Sequence, residues 1–335
     1  KGLAPAWRGA AGDPGGDAPR RSSGRASRRG RVGWGAGAAA AGGCRRERGV
    51  IGQETEVKPV VPAMRVLLYA ASALVLPIVL LFVLPDRTDT LAAWPIKPPL
   101  SAAFLGGGYL AAFFLAFLSA REKVWARARL AFASIFLISV LLLIATLLHL
   151  DRFHFSHPNG FTRFLAWLWL VAYAVFPMLM PLALVLQRRR PGGDPGLVAP
   201  LQRWARALLS AQGGLAVLVG AVMFVAPATA MGFWPWELTP LTSQAIGAWA
   251  VSMGALALNA AWEHDWTRLR AMVTGYGLFG IVQLVNLTRF TASVDWTRPS
   301  AWAYAAFVAS VAAMGAFGWL QTRRAARRQT GVQTA

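Results

Sequence analysis

The feature that most narrows the folds open to this chain is the gathering of its apolar residues into eight long blocks. They run Val66–Leu84, Leu100–Ala120, Leu130–Leu148, Phe164–Leu186, Ala207–Ala226, Ala245–Trp262, Ala271–Leu287 and Ala301–Leu320. Each has about 17–25 residues, enough for a helix to cross roughly 30 Å of hydrocarbon. A bilayer interior offers the backbone no water, so every crossing must close its own hydrogen bonds, and helix fits these lengths. A large soluble helical core is the alternative. It fails because few blocks carry a charged face, in a chain that is 56% hydrophobic and 14% charged. The expected fold class is all-α, a polytopic membrane helix bundle with eight transmembrane helices.

The net charge of +20 would suit nucleic acid, but its placement does not. Arginines gather in alternate loops: Arg121, Lys123, Arg127 and Arg129; then Arg188 to Arg190, Arg203 and Arg206; then Arg268 and Arg270; then Arg323, Arg324, Arg327 and Arg328. The intervening loops carry Asp86, Asp89, Asp151, Glu237 and Asp295. This is the positive-inside pattern, which places both termini in the cytoplasm and the protein in the plasma (inner) membrane. The bilayer and its anionic headgroups are the expected partners, and nucleic acid is not.

Residues 1–63 differ in kind. Gly, Ala, Arg and Pro dominate, large aliphatics are scarce, and the composition predicts a disordered or non-native upstream extension. Met64 is then the expected start of translation. A signal sequence ending at Cys44 would need a more apolar core than Gly and Ala provide. Cys44 is the only cysteine, so the membrane part has neither disulfide nor thiolate metal site.

Two stretches repeat. "WPIKPPLSAAFLG" from Trp94 matches "WPWELTPLTSQAIG" from Trp234, and "WARAR" from Trp125 matches "WTRLR" from Trp266, with no gap from Pro99 and Pro240 onward. "HLDRF" from His149 matches "NLTRF" from Asn286. The chain therefore divides into a four-helix unit at 64–190, a cytoplasmic linker at 191–206, a second unit at 207–322 and a basic tail at 323–335. An even number of crossings per copy makes the two tandem repeats share one orientation, in accord with the charge pattern. Trp94 and Trp234, each before a proline, and Trp125 and Trp266, beside Arg127, Arg129, Arg268 and Arg270, are expected to anchor the lipid interfaces. Pro177 and Pro181 are expected to break the fourth helix, with Gly315 and Gly318 as a matching weak point in the eighth.

Three of the four histidines lie in "HLDRFHFSHP", from His149 to Pro158. Aligned on the Leu-x-Arg-Phe motif, His149 faces Asn286, His154 faces Thr291 and His157 has no counterpart. His154 and His157 could converge with Asp151 on zinc or a similar cation, though no metal-ligand spacing appears and a solvated loop is the plainer account. His149 continues a sparse polar stripe with Ser139 and Thr146; Tyr276, Gln283 and Asn286 form its counterpart. The two stripes either bond helices together or line one ligand cavity between the halves.

Three function classes fit. A permease or ligand-binding protein for a neutral or small solute comes first, because no charged residue lies deep within a span. A membrane enzyme using a His/carboxylate set on the outer face comes second. Third is a non-catalytic subunit, with glycine-rich faces such as Gly213, Gly220, Gly247 and Gly254 meeting partner membrane helices. No cofactor motif is evident: Walker and haem-attachment patterns are absent. At "FWPWELTPLTSQAIGAWAVSMG" and "HLDRFHFSHP" the chain resembles a family of multi-spanning membrane proteins of high-GC bacteria. The resemblance implies membrane residence and brings no activity or site residues.

Overall fold

The computed structural model describes residues 56–333, with side chains through residue 327. The upstream extension as far as residue 55, with Cys44, lies outside the described residues. Eight helices are long and apolar enough to span a membrane: α1 Pro62–Val83, α2 Pro99–Arg121, α3 Trp125–Leu148, α4 Gly160–Arg189, α5 Arg203–Val225, α6 Pro240–Glu263, α7 Arg270–Arg289 and α8 Pro299–Gln333. No strand forms among the described residues, only three isolated bridges.

The helices begin where local chemistry allows. Proline opens α1, α2, α6 and α8, where its missing N–H removes no helical bond. Asn159 caps α4 by accepting from the N–H groups of Phe161 and Thr162, at 2.9 and 3.4 Å. The Thr239 hydroxyl does the same for α6. One expectation is corrected here. Helix α4 runs unbroken through Pro177 and Pro181, because neighbouring protein and hydrocarbon leave a freed carbonyl no better conformation. Helix α8 carries the expected basic tail onward as helix as far as Gln333.

The bundle is layered. Helices α2, α3, α6 and α7 are its most buried spans; α1, α4, α5 and α8 flank them. Helix α1 lies on α2, α5 on α6, α4 on α3 and α8 on α7, while α2 meets α7 and α3 meets α6 across the middle. Glycines set the closest approaches. A Cβ on Gly213 would stand 2.8 Å from the Gly254 carbonyl oxygen, and one on Gly254 2.6 Å from that of Gly213. Gly220 and Gly247 repeat the relation seven residues along, at 2.7 Å each way. Backbones therefore touch without side chains between them, which maximises dispersion contact where no hydrophobic drive exists. Gly315 and Gly318 serve the same purpose against α7 and Trp266, so they are packing positions within a continuous helix.

At the arginine-rich end two extended straps cross the helix ends. Val60 N–H donates to Lys123 O at 3.0 Å, and Lys58 O accepts from Trp125 N–H at 3.0 Å. Leu201 N–H donates to His264 O at 3.0 Å, and Ala199 O accepts from Trp266 N–H at 2.8 Å. The first strap is held by fully buried Gln187, which accepts from Val61 N–H at 2.9 Å and donates to Pro59 O at 2.8 Å. Residues 56–63, assigned from composition to the extension, thus take part in the fold, and Met64 is buried behind them.

Replacing Gly247 with Leu should lower the stability of the detergent-solubilised protein by about 1–3 kcal/mol through overpacking. Gly214→Ala, whose Cβ meets nothing within 4 Å, should leave it unchanged or slightly raised. Thermal unfolding of the two variants checks the contrast.

Candidate functional site: two apolar cavities

The two polar stripes do not come together in one cavity. Gln283 and Asn286 are buried between α7 and α2, donating to Phe104 O and Ala103 O at 3.1 and 3.0 Å, and Asn286 also donates to Gln283 at 3.2 Å. Thr146 donates to Leu142 O at 2.7 Å and accepts from the Trp169 indole at 3.0 Å. His149, at the end of α3, bonds Gln244 of α6 at 2.9 Å, and Gln244 in turn donates to Phe224 O at 3.1 Å. Ser139 donates within its own helix and faces one cavity; Tyr276 donates to Gln212 at 3.3 Å and faces another. Most of these groups tie helices to one another.

The outer histidines are occupied by loop geometry. His154 bonds Ala92 O at 3.2 Å through Nδ1, and His157 Nδ1 accepts from Asn159 N–H at 3.1 Å. Their rings lie 5.0 Å apart. Asp151 is exposed and paired with Arg152 at 3.0 Å. Among the described residues no group of three His, Cys, Asp or Glu side chains is arranged to hold a metal ion.

Most of the tryptophans expected at the lipid interface face protein. Trp94, Trp234 and Trp266 are buried: Trp94 against Trp169 at 4.9 Å, Trp234 against Trp236 at 5.0 Å, and Trp266 bonded to Gln202 at 3.0 Å. Trp125 is half-buried and packs on Phe132. Composition cannot distinguish an indole at the headgroup from one beneath a strap. The arginines divide likewise. Arg270 is exposed, and Arg127 pairs with Glu122 at 3.8 Å. Arg129 and buried Arg268 share Glu263 and Asp194: Arg129 reaches Glu263 at 2.6 Å and Asp194 at 2.7 Å, and Arg268 reaches them at 3.1 and 3.5 Å. This two-arginine, two-carboxylate network fastens the linker to α3 and α6. Sequence reasoning missed it because Asp194 and Glu263 are far apart in the chain.

Asp265, fully buried in the loop after α6, accepts from Val198 N–H at 2.5 Å, Ala199 N–H at 3.4 Å, and both the N–H and hydroxyl of Thr267 at 2.7 Å. Burial by itself raises its pKa, but the Thr267 hydroxyl and these N–H groups outweigh it and hold the carboxyl below its ordinary value.

Two cavities among the spans have walls that contain no charged side chain. The first, about 110 Å³, lies among α1, α2, α3 and α4, with Trp94 and Trp249 in its wall. The second, about 230 Å³, lies among α5, α6, α7 and α8, with Trp234 and Phe104 in its wall. Their walls correspond: Leu74 and Leu215, Leu105 and Ile246, Ile138 and Phe279 are each separated by the spacing between Pro99 and Pro240. In the first cavity the Tyr109 and Tyr173 hydroxyls meet at 2.5 Å, and the Trp169 and Tyr173 rings lie tilted at 4.5 Å. These aromatics were not singled out from the sequence. The available signal was Trp169 and Tyr173 four apart, on one face of a span that otherwise has few polar atoms.

Comparison of the chain with family models, with curated proteins and with solved structures returned no match.

Because the folded Asp265 carboxyl is more acidic than the unfolded one, its contribution to stability is complete above about pH 3.8 and is lost as pH falls further. Asp265→Ala should therefore cost about 2–4 kcal/mol at pH 7, the worth of charged hydrogen bonds left unmade. The gap to the unsubstituted protein should narrow below pH 3.8. Thermal melts across pH measure both effects.

Proposed function

We propose that this chain is an integral protein of the plasma membrane, built as two tandem four-helix units of like orientation, that binds neutral, bilayer-soluble molecules within each unit. The observation that carries this reading is the pair of apolar cavities, several of whose lining positions on the first three helices of each unit match at the spacing between Pro99 and Pro240. A charge-free wall favours a neutral ligand, since a buried ion would need partners that the wall lacks. Each cavity is walled mainly by one unit, with Trp249 and Phe104 as single residues lent by the other, which favours two separate sites over a single passage running between the halves.

The repeat is further supported by the helix contacts. Exchanging α1 to α4 with α5 to α8 maps α1 on α2 onto α5 on α6, and α2 on α7 onto α6 on α3. The straps share one register, Pro59 with Val124 and Pro200 with Asp265. At the opposite end His154 N–H donates to Ala93 O at 2.9 Å and Asp295 N–H to Pro235 O at 2.8 Å. His157 N–H to His154 O and Arg298 N–H to Asp295 O follow in each loop, at 3.2 and 3.1 Å. These bonds align His154 with Asp295 and His157 with Arg298, replacing the alignment of His154 on Thr291. The histidine pair then stands where the second copy has an ion pair of 2.8 Å, Asp295 with Arg298, which supports a loop role over a metal centre.

Both chain ends lie cytoplasmic in this reading. Exposed Arg188, Arg189, Arg190, Arg203, Arg206 and Arg270 at that end suit anionic headgroups. A reporter that is active only outside the cytoplasm, fused after His157, should be active; activity of a cytoplasm-only reporter at that position overturns the topology. For binding, native mass spectrometry of protein released from its own membranes should show retained neutral, lipid-soluble mass. Ala112→Phe and Ala250→Phe, each filling one cavity, should each remove part of it. Protein that emerges bare overturns the binding function.

A further inference from the structure

The second cavity differs from the first in how it meets the surface of the bundle. Leu215 of α5 and Phe233 are 51% and 38% exposed, Ala303 of α8 is exposed as well, and all three stand in its wall. In the first cavity Pro77 is the one exposed residue of the wall. A single bond accompanies the difference. In the first unit the Thr162 hydroxyl, in the opening turn of α4, donates to Thr90 O at 3.0 Å and ties that helix to the loop after α1. Among the described residues no side chain of α8 makes the corresponding bond to Pro227–Phe233, the short helix that follows α5.

Helices α5 and α8 part from a fixed point. Towards the arginine-rich end they touch through the Trp204 and Phe317 rings at 4.7 Å, and Gln212 donates to Ser310 at 2.9 Å. Towards the opposite end the cavity separates them, with Leu215 and Val219 on one side and Ala303 and Phe307 on the other. On α8 the lining runs from Ser300 to Val311, eleven residues further on and roughly 16 Å along the helix. That is close to half of the roughly 30 Å of hydrocarbon in a bilayer, the depth of one leaflet. At the same end the headgroup level is marked by Trp302, 63% exposed, whose indole donates to Trp296 O at 3.1 Å. Behind the mouth stand Met253 of α6 and Phe279 of α7, both buried. The slot thus begins one residue below an interfacial tryptophan, runs the depth of a leaflet and has an uncharged wall.

We infer that the second cavity holds the hydrocarbon chain of a membrane lipid from the leaflet opposite the arginine-rich end, entering sideways between α5 and α8 while its headgroup stays at the level of Trp302. The inference rests on the binding function proposed above and adds the ligand class and its route. Hydrocarbon reaches this mouth without crossing a polar layer. A charged headgroup that followed the chain inward would find no partner in the wall. The chain itself supplies the dispersion contacts that the walls of an empty slot would forfeit.

The test reconstitutes the full chain in phosphatidylcholine vesicles that contain a phospholipid with a diazirine in mid-chain, or one with the diazirine in its headgroup. After illumination the crosslinks are mapped by peptide mass spectrometry. The mid-chain probe should label Met253 and Phe279 as well as Leu218 and Ala306, which are exposed on α5 and α8 outside the slot. The headgroup probe should label neither Met253 nor Phe279. Ala303→Trp, which narrows the mouth, should abolish the labels on Met253 and Phe279 while leaving those on Leu218 and Ala306 and the thermal midpoint in place. Mid-chain labels confined to lipid-facing side chains overturn the inference, whereas binding of a compact neutral molecule, read from retained mass, would stand. Labels on Met253 and Phe279 from the headgroup probe, or from the mid-chain probe in spite of Ala303→Trp, overturn it equally, since the chain would then enter with its headgroup or by another route. If Ala303→Trp fails to fold, Leu215→Trp narrows the same mouth from α5.

Discussion

The structure depends first on the fate of backbone polar groups in hydrocarbon. Each N–H and C=O that lacks a partner in that medium costs several kcal/mol, so every span is helical and irregular backbone is confined to the two ends. This constraint explains why α4 stays helical through Pro177 and Pro181 and why the straps run where they do. It also changes what holds helices together. Lipid tails are as apolar as leucine, so association relies on close contact and on side-chain bonds to neighbouring helices. The reciprocal glycine pairs of α5 and α6 and the amide bonds from Gln283 and Asn286 to α2 are the two solutions used here.

Polar residues inside the bundle are largely spent on structure. Thr146, Gln244, Gln283 and Gln187 each end on a carbonyl, a ring nitrogen or a strap N–H. The exceptions stand out for that reason. The buried indole N–H groups of Trp94 and Trp234, one beside each cavity, are two of them. At the arginine-rich end the same economy holds for charge, with Arg129 and Arg268 sharing two carboxylates before any headgroup is reached.

The eight spans were legible because block length and the absence of water leave helix as the only outcome, and each block fell within a few residues of its helix except at the C-terminal end of the eighth, which runs on to Gln333. The misjudged features share a physical cause. Whether a tryptophan beside a loop faces lipid or protein depends on what packs over it, and Trp266 is covered by a strap that comes from far upstream. Residues 56–63 look unstructured by composition, yet they gain order from Gln187 and Lys123, which lie in other segments. The polar stripes were found, but the period of a helix gives a face and not the neighbour opposite it, and these faces look onto different partners.

Sequence alone determined the number of helices long and apolar enough to cross a membrane, the all-helical class and the clustering of arginine in alternate loops, because each follows from local hydropathy and charge. Tertiary structure decided which helices are central, which arginines are neutralised, and that the polar stripes bind helices while aromatic residues surround the cavities. Those outcomes turn on contacts between residues distant in the chain, in a solvent where the driving force is packing and hydrogen bonding and not the burial of apolar surface.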